Sequence, residues 1–139
     1  MSTTTNKITS QLITQEDAVI YFIQKLDIDM INTLLDEERT YQDMEKHNFV
    51  RKLGYAFDEL IDSGETSLNC ASGKCDAVKC NYQCRGYSFT GNNSEKHMDL
   101  IIEKDNQGKV LDIYECRFFL CDGKEKRNSY ETRVRIDRE

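Results

Sequence analysis

Proline and tryptophan are both absent from the 139 residues, and neither absence points to a function. Other absences exclude more. No run approaches the roughly 18 apolar residues that a membrane-crossing helix needs, so no bilayer span is expected. Positive charge is in deficit: 19 Lys and Arg against 25 Asp and Glu leave a net charge of -6 and a pI near 5.0. Nucleic acid and anionic membrane surfaces both require concentrated positive charge, so neither is an expected partner. The basic stretch from Lys124 to Arg138 does not change this, because Glu125, Glu131 and Asp137 are mixed into it, as on a solvated face. Signatures of catalysis are missing too: there is no G-x-S-x-G, no Gly-rich phosphate loop and no H-E-x-x-H. Only two histidines occur, His47 and His97. Met1 to Ser10 is polar and Thr-rich, with no apolar leader and no cleavage-like site. A cytoplasmic protein with reduced thiols is expected, although a removed signal peptide would leave the same picture.

What the chain has in excess is cysteine. Four of its six cysteines, Cys70, Cys75, Cys80 and Cys84, fall within fifteen residues, spaced C-x4-C-x4-C-x3-C. A chain of this length buries a core without staples, so folding does not demand them. Placed on the connection between two neighbouring strands about 5 Å apart, four thiolates converge on one tetrahedral zinc with Zn–S distances near 2.3 Å. Ser72-Gly73 lets the backbone turn between ligands, and Lys74, Lys79 and Arg85 soften the charge. Yet strong zinc signatures pair two C-x2-C steps, and iron–sulfur sites also need one; this chain has none. Structural zinc, unliganded reduced thiols and disulfides all stay open. So does a thiol redox sensor, since Lys74 and Lys79 lower the pKa of nearby thiols. Cys116 and Cys121 fall outside this cluster, and Cys116 reads as core packing.

The pattern along the chain is helical first and extended later. Residues 1–11 are expected as a flexible N-terminus and 12–136 as a single domain carrying a Cys-rich hairpin loop, 70–84. Thr14-Gln15-Glu16-Asp17 reads as a helix cap, followed by Val19, Phe22, Ile23 and Leu26 on one helical face. Asp27 caps a short second helix with Ile31, Leu34 and Leu35 inward. A brief extended piece, Arg39 to Met44, precedes a long helix whose stripe is Phe49, Val50, Leu53, Ala56, Phe57, Leu60 and Ile61. Gly64 stands at its left-handed end. The period then falls to 2. Thr66, Leu68 and Cys70 alternate, as do Tyr87 and Phe89, and Met98, Leu100 and Ile102. Asp105 to Gly108 reads as a hairpin loop into Lys109–Phe119, where the apolar parity slips between Ile113 and Cys116, predicting a bulge. Tyr130, Thr132, Val134 and Ile136 read as a last strand with one wet face. The fold class is α+β: N-terminal helices packed in the concave face of a curved, mostly antiparallel sheet.

This order resembles the nuclear-transport-factor-2-like superfamily, the cystatin-like cone that also holds SnoaL-like cyclases. The likeness rests on the opening helix pair with Asp27–Leu35, the short strand, the Phe49–Ile61 helix and the long hairpin around Gly108, over residues 12 to 120 or 136. It implies a conical pocket for a small apolar ligand and a homodimer joined through the outer sheet face. Activity does not follow from such a fold.

Candidate acid–base groups are few. Tyr41 and Asp43 are expected to share a face of the short strand, and ketosteroid isomerase, a cone of this kind, pairs tuned carboxyl groups with a tyrosine donor. Tyr55 and Asp58 lie on the long helix. His97 and Asp99 share a strand face, but Met98, Leu100 and Ile102 form the inward set, which puts that pair outside. The reading is therefore a ligand-binding or protein-interaction domain of this class with no assignable catalysis and, at most, a structural zinc. A cofactor-free isomerase, dehydratase or cyclase acting on a small carbonyl compound is the alternative.

Overall fold

The computed structural model describes residues 14–73, 85–115 and 132–136. Thr14 opens helix α1 (Gln15–Gln24), its Oγ1 accepting the Asp17 N–H at 3.1 Å. The helix closes in a Schellman pair, Leu26 N–H donating to Ile23 and Asp27 N–H to Phe22. That closure requires a left-handed residue, and here it is Leu26 (φ 57°) in place of glycine. Burial of the Leu26 side chain in the core offsets the strain. Asp27 then caps α2 (Ile28–Leu34) by accepting the Met30 N–H.

The extended piece expected over Arg39–Met44 is instead a tight hairpin. Strands β1 (Thr40–Tyr41) and β2 (Met44–Glu45) pair with Tyr41 opposite Met44. Gln42 and Asp43 form the turn, both at positive φ (51° and 63°), the type I′ geometry that suits the twist of paired strands. Helix α3 (Lys46–Asp62) follows, with Phe49, Leu53, Ala56, Phe57 and Leu60 buried and Ile61 exposed. Gly64 (φ 98°) ends it, donating to Ile61, while Glu65 N–H reaches back to Leu60.

Four strands make an antiparallel meander in the order β3 (Leu68–Gly73), β4 (Arg85–Gly91), β5 (His97–Lys104) and β6 (Val110–Glu115). Asp105 shapes the β5–β6 turn by accepting the N–H groups of Gln107 and Lys109. The ladder shifts register at Glu103/Lys104, beside that turn. Cys116, one end of the slip expected in β6, lies outside the described residues. Leu68, Tyr87, Phe89, Met98, Leu100, Ile102 and Ile113 join the buried residues of α1 to α3 in one core. The described fold is thus α+β, three helices against a four-stranded antiparallel sheet with a separate two-stranded hairpin.

The last described segment differs from the strand expected there. Among the described residues its backbone meets the sheet at His97, by a parallel bridge with Arg133 and a hydrogen bond from Val134 N–H to His97 C=O at 2.8 Å. Val134 and Ile136 are buried in the core, but Arg133, expected on a wet face, is buried as well. Side chains hold the rest: Glu115 accepts Ile136 N–H and Arg135 Nε, and Gln42 Nε2 donates to Ile136 C=O. Among the described residues, no helix is long and apolar enough to cross a membrane.

Candidate functional site

Successive side chains of a strand alternate between faces, so placing Met98, Leu100 and Ile102 in the core sends His97, Asp99 and Ile101 to the second face. Register adds what alternation alone does not give. Ser88 lies directly opposite Asp99, and its Oγ donates to Asp99 Oδ1 at 2.8 Å. His97 Nδ1 lies 3.2 Å from the same oxygen, and Arg133 Nη2 lies 3.7 Å from Asp99 Oδ2. With Ser88, His97, Asp99 and Arg133 exposed by only 8, 2, 2 and 8 %, this part of the second face is buried and not wet.

The chemistry of the cluster follows from who bonds to whom. An ionised Asp99 only accepts, so the contact with His97 requires the proton on Nδ1 and leaves Nε2 as a lone pair in the neutral ring. Nε2 has no hydrogen-bond partner among the described residues. A serine relay requires the hydroxyl to donate to the imidazole; Ser88 Oγ instead donates to the carboxylate. Asp99 is therefore the hub of a buried polar network that links β4, β5 and the 132–136 segment, with its Oδ2 meeting Arg133 at ion-pair distance and no hydrogen bond among the described residues. Ser88 and Arg133 were not found from sequence, because their roles depend on register and on a contact between distant parts of the chain.

A second polar cluster was also missed. Glu16, in the first turn of α1, is buried, and Tyr87 Oη donates to its Oε2 at 2.8 Å while Lys104 Nζ lies 2.9 Å from Oε1. A third is built on Glu65. Its carboxylate accepts the backbone N–H groups of Asn92, Asn93 and Ser94 and the Ser94 hydroxyl. Three successive N–H groups on one carboxylate make an anion nest, filled by the protein's own side chain.

The other expected pair is not brought together as one face of a strand. Tyr41 is fully buried, packs against Phe49 with ring centroids 5.6 Å apart, and its Oη accepts the Asp36 N–H at 3.0 Å. Burial foremost, with Asp36 nearby, pushes its phenol above the usual tyrosine value. Asp43 stands exposed in the turn. On α3, Tyr55 is 59 % exposed and Asp58 is also exposed. His47 sits in the first turn of α3 beside Glu45, both well exposed.

Of the four clustered cysteines, the described residues include Cys70 alone. It is mid-ladder, opposite Phe89, and packs half-buried against the core. Burial pushes its thiol up to about 11, which makes it a weak nucleophile at neutral pH. Cys75, Cys80 and Cys84 lie outside the described residues, as do Cys116 and Cys121. Among the described residues, no group of three His, Cys, Asp or Glu is placed to hold a metal. No family model, curated protein or solved structure matches the chain.

Proposed function

We propose that this chain is a protein-interaction domain built on a cystatin-like cone, and that it catalyses no reaction at the residues described. The observation that carries the reading is the state of the acid–base candidates. Tyr41 is enclosed in the core, Asp43 stands apart from it in a turn, His97 is buried with its free Nε2 inside the protein, and Asp99 is engaged by Ser88, His97 and Arg133. General acid–base work needs a group able to reach a substrate proton. The volume between helices and sheet supports interaction over small-ligand binding, since Phe49, Phe57, Phe89, Leu53, Leu60, Met98 and Leu100 fill it with almost no exposure. The nuclear-transport-factor-2-like resemblance adds the order of helices, hairpin and meander.

The test is proton exchange on small carbonyl compounds in heavy water. Deuterium uptake alpha to the carbonyl is read by mass spectrometry for the wild type, Asp43→Asn and Asp99→Asn. The expected result is no uptake beyond the protein-free rate in any of them. Uptake in the wild type that either variant abolishes would replace this reading with the isomerase one.

A further inference from the structure

The two edges of the sheet are treated differently. The β6 edge is sealed: Gln42 Oε1 accepts the Glu115 N–H, Gln42 N–H donates to Asp112 Oδ1, and the 132–136 segment is held at Glu115. The β3 edge has no strand partner among the described residues. Gly91 N–H donates to Lys96 C=O, toward β5, so the Leu68–Gly91 pair exchanges no ladder bond and Leu68 points its backbone groups outward. The Leu68 carbonyl accepts Gln24 Nε2 at 3.2 Å from that outer side, in agreement. Cys70 and Ser72, two and four residues on, therefore also direct N–H and C=O away from β4.

Exposed edges ordinarily carry lysine, proline, a bulge or inward-pointing charge to block pairing. Leu68-Asn69-Cys70-Ala71-Ser72-Gly73 carries none of these, in a chain that is 32 % charged. Its ladder with β4 is continuous, and Asn69, Ala71 and Ser72 are exposed. A strand without charge sets no like charges opposite one another when paired with its own copy, and an antiparallel pair of identical strands is a closed two-fold contact.

Resting on the interaction-domain reading above, we infer that this edge binds a second copy of the chain, β3 against β3, with Cys70 opposite Ser72 of the partner subunit and Ala71 on the two-fold axis. In that register, four hydrogen bonds satisfy the outward groups of Cys70 and Ser72 in both copies. The axis falls on a non-hydrogen-bonded pair, where strands come closest (Cα separation about 4.5 Å), and Ala71 is small enough to allow it. One short strand pair is less than a stable interface needs, so the association is weak and concentration-dependent.

Sedimentation velocity of the full chain from micromolar to millimolar concentration tests this, with circular dichroism confirming that each variant folds. The wild type is expected to move from monomer to dimer, and Ala71→Lys, which sets two like charges across the axis, to weaken dimerisation at least tenfold. At the high concentration, amide exchange should slow at Cys70 and Ser72 and stay unchanged at Asn69 and Ala71. Under mild oxidation, Ala71→Cys is expected to give more covalent dimer than Asn69→Cys, whose copies lie about 13 Å apart, four residues at strand rise. A wild type that stays monomeric throughout, an Ala71→Lys variant that dimerises equally well, or equal cross-linking of the two cysteine variants overturns the pairing. None of these bears on the deuterium assay, so the two readings fail separately.

Discussion

Glu65 and Asp112 are carboxylates whose surroundings drive them in opposite directions. Burial raises the Glu65 pKa, but the Ser94 hydroxyl and the N–H groups of Asn92, Asn93 and Ser94 outweigh it, so the folded value lies below the usual one. A depressed folded pKa gives stability that is present above the unfolded pKa and lost as pH falls through the folded value. Glu65→Gln keeps the shape but turns one acceptor toward donors. A loss of about 2–3 kcal/mol is expected at pH 7, shrinking as pH falls below about 4, measured by urea unfolding at both ends. For Asp112, burial is the largest effect and, with Glu103 and Asp43, it outweighs the N–H groups of Gln42 and Ile113, so the folded pKa is raised. Stability from such a group is complete below the unfolded pKa and lost as pH rises through the folded one. Asp112→Asn, which still accepts from Gln42, should therefore be at least as stable as the wild type at pH 7. Below the ordinary aspartate pKa of about 3.9 that relative gain should vanish. Cys70, half-buried against the core with its thiol pushed up to about 11, gives a third test. Alkylation of Cys70 at pH 7 should be slow in the folded protein and speed up on unfolding in urea, and equally fast alkylation in both states would contradict its burial.

Turns and helix ends carry much of the local specification, and two glycines separate the physical reasons. Gly64 and Gly108 both lie at positive φ, 98° and 80°. A Cβ on Gly64 meets nothing nearer than Asn93 Cβ at 4.0 Å, whereas one on Gly108 would stand 2.5 Å from Thr14 Cβ. Gly64→Ala should thus cost only the left-handed conformation, about 1 kcal/mol. Gly108→Ala adds a clash with the α1 cap, whose neighbour Glu16 N–H donates to Gly108 C=O, and should cost at least about 2 kcal/mol. Equal losses in denaturant titrations would contradict this. The same elements show what could be read in advance. Thr14, Asp27 and Gly64 act locally, and the stripe Phe49–Leu60 and the alternation Met98–Ile102 are strictly periodic, so helices, caps and β5 were legible. The β1–β2 turn was not, because Gln42-Asp43 lacks the Asn-Gly signature and is held by a distant Asp112. Leu26 at a glycine position escaped notice for a similar reason: burial decides it, not local preference.

Across the whole molecule, the buried Asp99 hub is one of several anchors of the 132–136 segment. Val134 and Ile136 supply apolar burial, and the His97 carbonyl and Glu115 supply backbone anchors. Asp99 adds the only ion pair between β5 and that segment among the described residues. The candidate pair His97 and Asp99 was visible as a shared face, but its partners were not, because Ser88 depends on register and Arg133 on a contact 34 positions along the chain from Asp99. Asp99 is the acceptor that the buried Ser88 and His97 share, and its loss leaves both without it. Asp99→Ala should therefore cost about 2–4 kcal/mol. Arg133→Met should cost less, because Ser88 and His97 still donate to Asp99. The double variant should cost less than the sum by more than about 1 kcal/mol. Hydrogen exchange at Val134 localises the effect: it should rise in Asp99→Ala more than exchange in the β3–β4 ladder. Additive losses with no faster exchange at Val134 would mean that apolar burial alone seats the segment, and that the Asp99 network stabilises the β4–β5 pair without reaching the tail.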